Sequence, residues 1–172
     1  MFFGIPKKYK FHKYITSGYH GDIYLVYDET YKILKKYNDI NVGKGDTKII
    51  NKLNHINIVE NIKSYEYMDC WYIEMPFYSR GNLYSRLLRT SISKKEYTRW
   101  LIQIKSALNY IHDLNISHND LKLNNILLDD NNSIIIIDFG CAKENTLDFS
   151  SDLDSFKNIQ QKLKRQLVLA KL

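Results

Sequence analysis

Cysteine, proline and glycine are all scarce in this 172-residue chain, which has two, two and seven of them, and no long apolar run occurs. Each shortage excludes something. Cys70 and Cys141 stand far apart in no metal-like spacing, so neither a disulfide framework nor a zinc site is expected, and a reducing compartment, the cytoplasm, fits. So little proline and glycine rules out collagen and low-complexity linkers. No segment approaches the roughly 18 consecutive apolar residues of a membrane span, so no membrane partner is expected. The opening Met1 to Lys8 lacks the apolar core and small-residue cleavage site of a secretory signal, and Met1 is read as the mature start.

What remains is an ordinary globular composition, 44% hydrophobic and 26% charged, long enough for one domain with a sizeable core. The formal net charge of +6 favours anionic ligands without choosing among them. Basic residues are scattered from Lys7 to Arg165 and no nucleic-acid motif is visible, so nucleic acid is not an expected partner.

Lys10 to Thr16, Asp22 to Tyr27 and Tyr31 to Tyr37 are β-prone runs separated by turn residues, which predicts an antiparallel meander. A short helix is expected over residues 45–54, and two further strands between Ile58 and Phe77 around the turn at Met68-Asp69-Cys70. After Ser79-Arg80-Gly81 the hydrophobic period lengthens from 2 to 3.6. Ser93 and Glu96 form a capping-box pair ahead of Tyr97, Trp100, Leu101, Ile104, Leu108 and Ile111, which predicts a long helix. Short strands are expected at Ile116 to Asp120, Asn125 to Leu128 and Ser133 to Asp138. A terminal helix over 151–172 would carry Leu153, Phe156, Leu163 and Leu167.

The chemistry-bearing residues gather in His118-Asn119-Asp120-Leu121-Lys122-Leu123-Asn124-Asn125 and in Ile137-Asp138-Phe139-Gly140. Together these resemble the catalytic loop and the metal-binding D-F-G of the eukaryotic-type protein kinase family, in order and at a family-like separation. The resemblance implies a bilobal α+β fold within one domain over 1–172: a five-stranded small lobe with one helix over about 1–78, and a reduced, mainly helical large lobe over about 79–172. It implies ATP and Mg²⁺, with Asp120 orienting the substrate hydroxyl, Lys122 meeting the γ-phosphate, and Asn125 with Asp138 as oxygen ligands of the metal.

Upstream, Ile15-Thr16-Ser17-Gly18-Tyr19-His20-Gly21-Asp22-Ile23-Tyr24 resembles the glycine-rich loop, with Thr16 in the first glycine position. Gly18, Gly21 and Ile23 would then cover the nucleotide. Lys32-Ile33-Leu34-Lys35 resembles the third-strand V-A-I-K, placing Lys35 at the α/β-phosphates and Ile33 where a small residue roofs the adenine. Counting back from Leu53-Asn54-His55-Ile56-Asn57-Ile58-Val59, which resembles the signature at the end of the family's first helix, puts the lysine's acidic partner at Asp46. Aspartate there is one methylene shorter than the family's glutamate, so either the helix lies closer or Asp46 is only a helix N-terminal residue.

Trp71 to Leu83 resembles the hinge: Met75 is the expected gatekeeper, Pro76 and Tyr78 adenine contacts, Asn82 a ribose contact, and Leu127 part of the nucleotide site. Asn119 replaces the arginine that reads activation-loop phosphate. Only residues 141–151 separate Gly140 from Ser151-Asp152-Leu153-Asp154-Ser155-Phe156, which resembles the start of the long central helix. The lysine two residues after Asp120 is the serine/threonine form, so a protein hydroxyl is the expected acceptor. A small-molecule kinase and a nucleotide- or partner-binding pseudokinase scaffold remain as alternatives, and the terminal helix is a candidate surface for self-association or a partner protein.

Overall fold

A computed structural model of the chain describes residues 4–18 and 21–169, with the side chains of 168 and 169 left aside. They form two compact units, one of residues up to 54 together with 59–77, the other of residues 55–58 and 78 onward. Among the described residues no helix is long and apolar enough to cross a membrane.

The first unit is a five-stranded antiparallel sheet with one helix. Strands β1 (Lys10–Gly18), β2 (Gly21–Asp28), β3 (Thr30–Tyr37), β4 (Lys63–Tyr67) and β5 (Cys70–Pro76) lie in the order β1-β2-β3-β5-β4. The tight turns use residues at positive φ, Glu29 between β2 and β3 and Met68-Asp69 between β4 and β5. Period-2 alternation then sorts the faces. Tyr9, Val26, Leu34 and Tyr72 form a buried cluster on one side, joined by Ile5, Tyr24 and Tyr65. Glu74 lies buried among them, receiving the Tyr9 hydroxyl, Lys32 Nζ at 2.9 Å and Lys8 Nζ at 3.4 Å.

Helix α1 (Ile40–Ile50) is set against β3 and β5. It starts five residues before the expected position, because the Asp39 side chain accepts the Asn41 and Val42 N–H groups and caps it there. Gly43 and Gly45 both lie inside it.

In the second unit, α2 (Leu83–Arg89) is followed by α3 (Lys94–Asp113), which starts at the expected capping box: Ser93 Oγ accepts the Glu96 N–H and the Glu96 carboxylate accepts the Ser93 N–H at 2.8 Å. Trp100, Ile104, Leu108 and Ile111 form its buried stripe. The expected short strands shrink to β6 (Ile116–Ser117), β7 (Ile126–Leu128) and β8 (Ile134–Ile136); β6 pairs with an unforeseen β9 (Lys143–Glu144), and β7 with β8. Extension stops early because Asn119 and Asp138 adopt φ of 61° and 67°, and Asn125 belongs to a 3₁₀ turn over Leu123–Asn125.

Helix α4 (Ser150–Leu169), the expected terminal helix, packs on α3 with a buried edge other than the expected one. Asp152, Ile159 and Leu163 are buried, Phe156 and Leu167 half-buried, and Leu153 is 50% exposed. A buried acid takes the place expected for Leu153, for a reason that lies in the site; residues 170–172 fall outside the described residues.

Candidate active site

In the first unit Lys35 and Asp46 stand on β3 and α1. Both are buried, and Lys35 Nζ lies 3.2 Å from Asp46 Oδ2. The aspartate is the seventh residue of α1 and lies beyond the first turn, where the helix dipole acts most. Ile33 lies opposite Met75, and Lys32 opposite Pro76, across the β3–β5 ladder. Ile23 lies opposite Thr16 on one side and Lys35 on the other.

The tip of the glycine-rich segment, Tyr19-His20, lies outside the described residues, but its two flanking glycines differ in kind. Among the described residues, a Cβ at Gly18 would meet only the Gly21 carbonyl, 3.7 Å away. At Gly21, with φ of 150°, a Cβ would fall 1.9 Å from the Lys36 carbonyl oxygen, so only glycine lets β2 leave the loop this close to β3.

The second unit assembles the other cluster on turns. Asp120, half-buried, receives Lys122 Nζ at 2.7 and 3.0 Å on its two oxygens, and Asn125 Nδ2 donates to its Oδ2 at 2.9 Å and to its carbonyl at 2.9 Å. The hydrogen bond to the Asp120 carboxylate pushes the Lys122 amine above its ordinary value, so the ammonium form is held at neutral pH. Asp138 lies one residue past Ile137, whose N–H donates to the Asn125 carbonyl at 2.9 Å; the β7–β8 hairpin thus brings the two expected metal ligands to one end.

His118 braces this arrangement from within. It is fully buried and pushed below its ordinary value by burial. Its Nδ1 accepts the Asp120 N–H at 3.2 Å, and its Nε2 lies 3.1 Å from the Ile137 carbonyl, a pattern that suits the neutral ring with the proton on Nε2. The ring packs on Phe139, centroids 4.8 Å apart.

Asp152, to which sequence reading gave no role, anchors the loop. Its carboxylate accepts the N–H groups of His118 and Asn119, both at 2.8 Å, and lies 2.9 Å from His112 Nε2. Two backbone donors of a left-handed turn need a buried acceptor, so α4 turns Asp152 inward and Leu153 outward. Its sequence separation of over thirty residues from these partners hid this role. Asn119 Nδ2 donates to Ser117 Oγ at 2.7 Å and to the Cys141 carbonyl at 3.2 Å, tying the loop to the segment after Gly140.

Other expected contacts are placed more loosely. Asn82 caps α2, its side-chain oxygen accepting the Ser85 N–H at 2.8 Å, so any role toward a ribose falls to its amide nitrogen. Leu127, half-buried on β7, bridges to Asn82. The Tyr78 carbonyl accepts the Gly81 N–H. Residues 55–58, expected only as the end of the first helix, belong to the second unit: Asn57 Nδ2 donates to the Ile134 carbonyl at 2.8 Å, and its carbonyl accepts the Ile136 N–H.

The two units thus hold ammonium, carboxylate, imidazole and amide groups in fixed pairs. Comparison with known proteins shows the family. Residues 9–157 match the protein kinase domain, and the chain belongs to that family. It is 34% identical over 131 residues to NUAK family SNF1-like kinase 1 of Homo sapiens, a match covering 76% of this chain and 20% of that protein. Calcium-dependent protein kinase 6 of Plasmodium berghei is 33% identical over 144 residues, covering 77% and 10%. Serine/threonine-protein kinase Nek4 of Mus musculus is 31% identical over 161 residues, covering 84% and 20%. The matches thus span a tenth to a fifth of the length of these relatives.

Proposed function

We propose that the chain transfers the γ-phosphate of ATP to a serine or threonine hydroxyl of a protein, with Mg²⁺. The observation that supports this most is the Asp120–Lys122–Asn125 cluster, in which a carboxylate is held by an ammonium and an amide while its loop is pinned by Asp152. Asp120 accepts or orients the acceptor hydroxyl. Lys122 stands ready for the charge that gathers on the transferred group, and Lys35 holds the nucleotide phosphates.

The donor set suits magnesium. Among the described residues no three His, Cys, Asp or Glu side chains gather as an all-protein metal cage. Magnesium prefers one or two protein oxygens and completes its shell with phosphate and water. Asn125 directs its amide nitrogen to Asp120, which turns its oxygen the other way, and Asp138 supplies the charge. These two residues would hold the ion, and bound there it would neutralise phosphate charge.

Sequence similarity to serine/threonine kinases and the lysine two residues after Asp120 support the acceptor class. We propose a reducing, cytoplasmic setting for the chain. The test is Mg²⁺-dependent ADP release with and without a generic basic protein, followed by phosphoamino-acid analysis. Phosphoserine or phosphothreonine is expected. ADP release driven by choline or an aminoglycoside, but not by protein, would replace the acceptor with a small molecule, and nucleotide binding without ADP release would make the chain a scaffold.

A further inference from the structure

The Lys35–Asp46 pair is built with an acid one methylene shorter than the resemblance leads one to expect. A shorter side chain reaches its lysine only if its helix comes nearer the sheet, and the first unit shows how near. Gly43 lies three residues before Asp46 on the same side of α1. A Cβ at Gly43 would lie 2.5 Å from Trp71 Cδ1 and 2.7 Å from its Cβ, so α1 approaches β5 at a distance only glycine permits. Trp71 Nε1 then donates to Thr47 Oγ1 at 2.8 Å and fixes the helix there.

The second element is Tyr37, two residues after Lys35 and therefore on the same face of β3. It is fully buried. Lys35 Nζ lies 4.8 Å from the centre of its ring, and its hydroxyl donates to Asp46 Oδ2, the same oxygen that faces Lys35. The other carboxylate oxygen, Oδ1, is buried and accepts no hydrogen bond. Tyr37 thus touches both members of the pair, the ammonium with its π-face and the carboxylate with its hydroxyl. Without that hydroxyl the carboxylate would keep Lys35 as its partner among the described residues.

We infer that Tyr37 is a positioning residue for Lys35, acting through Asp46, and that Gly43 sets the helix spacing the short acid requires. The functional half of this rests on the proposal that Lys35 meets nucleotide phosphate; the structural half does not. Four proteins decide it: the parent, Tyr37→Phe, Asp46→Glu, and the double variant Gly43→Ala with Asp46→Glu. Two readouts are needed. Acylation of Lys35 by a mild amine-reactive ester without nucleotide, mapped by mass spectrometry, reads the lysine's surroundings whether or not the chain transfers phosphate. ATP KM and kcat read the consequence for turnover.

Tyr37→Phe is expected to raise Lys35 labelling and ATP KM about tenfold, the worth of a hydrogen bond to a charged group, with kcat within about twofold. Labelling of the other lysines stays unchanged. Asp46→Glu alone overfills the gap and also raises KM, whereas the double variant, with the helix moved out and the acid lengthened, returns Lys35 labelling and KM toward the parent. Parental labelling of Lys35 in Tyr37→Phe would overturn the inference. So would a uniform rise at all lysines, which marks a merely structural role, or parental KM in Asp46→Glu alone. A parent that releases no ADP, yet shows the selective rise in Tyr37→Phe, would refute the phosphotransferase reading and leave the positioning role standing.

Discussion

In the first unit Lys35, Asp46 and Gly21 stand on strands and a helix whose registers are set by long ladders; in the second, Asp120, Lys122, Asn125 and Asp138 stand on turns joined by two- and three-residue strands. The difference shows in what each can absorb. Regular elements can shift as bodies, so an aspartate in place of a glutamate is met by a glycine that lets the helix approach and a tyrosine that supplements the acid. Turns have no such freedom. Their order comes from side chains that bind backbone groups, chiefly Asp152, His118 and Asn125, and each of these has specific partners. A related contrast appears in the non-glycine residues at positive φ: those of the first unit, Glu29, Met68 and Asp69, sit in hairpin turns, whereas the second unit also places Asn119 and Asp138 there, within the candidate site.

The most drastic way to separate the units is to disable the second while leaving the first intact. Asp138→Ala should abolish Mg²⁺-dependent ATP turnover, and Asp120→Asn should lower phosphoryl transfer at least ~100-fold with nucleotide binding retained. Calorimetric titration with an ATP analogue beside a turnover assay checks both, and unchanged turnover in a folded Asp138→Ala protein would remove its metal role.

Stability sharpens the contrast next. Asp152→Ala leaves the His118 and Asn119 N–H groups and His112 without their acceptor and should cost about 3 kcal/mol, read by denaturant unfolding through Trp100 fluorescence in a Trp71→Phe background. Gly21→Ala, which drives a Cβ into the Lys36 carbonyl, should cost about 2 kcal/mol and register instead through Trp71 in a Trp100→Phe background. Equal responses of both reporters to both substitutions would erase the distinction.

Acid should act on the second unit first. Burial holds His118 and His55 below the ordinary histidine value of 6.5, so the unfolded chain binds those protons more readily and stability falls as pH drops below about 6.5. In the first unit, burial pushes the Glu74 carboxyl up, but the Tyr9 hydroxyl, Lys32 and Lys8 outweigh it and hold it below the ordinary 4.5. Its contribution is complete above that value and is lost only as pH falls from there toward the lower folded value. Melting curves of the two single-tryptophan variants between pH 7 and 4 should show this order, and a carbon-bound imidazole proton shift for His118 that stays neutral at pH 6 would confirm its source.

The smallest expected effect is none. Asn119 already links the catalytic loop to the Cys141 carbonyl, so phosphatase treatment should leave activity unchanged. A large loss would mean that an added phosphate completes the loop.

How legible this was in the sequence follows the same division. The sheet could be read from alternation and turn residues, and the long helix from its capping box and stripe, because those signals are local. Helix α1 starts five residues before its expected position: Gly43 stands in its first turns because of Trp71, twenty-eight residues on in sequence, a contact with no local signal. Lys35, Asp120, Asn125 and Asp138 were readable as motif members. Tyr37 could have been found by asking which residue shares a strand face with Lys35. Asp152 was visible only as a member of the Ser151 to Phe156 motif: a buried carboxylate with backbone partners more than thirty residues away leaves no periodic trace of its role.

The segment 55–58 carries a consequence for cutting the protein apart. The second unit is discontinuous in the chain, its β8 completed by Asn57 and Ile58 from a stretch that lies between two parts of the first. The polypeptide therefore passes from one unit to the other three times, and a single proteolytic nick cannot release either intact. A fragment starting at Tyr78 would lack the Asn57 amide and carbonyl that pair with Ile134 and Ile136, and a fragment ending at Phe77 would carry them with nothing to bind. Mixed together, the two pieces have a specific reason to reassociate, which makes the chain a natural candidate for a split reporter whose assembly is read at β8.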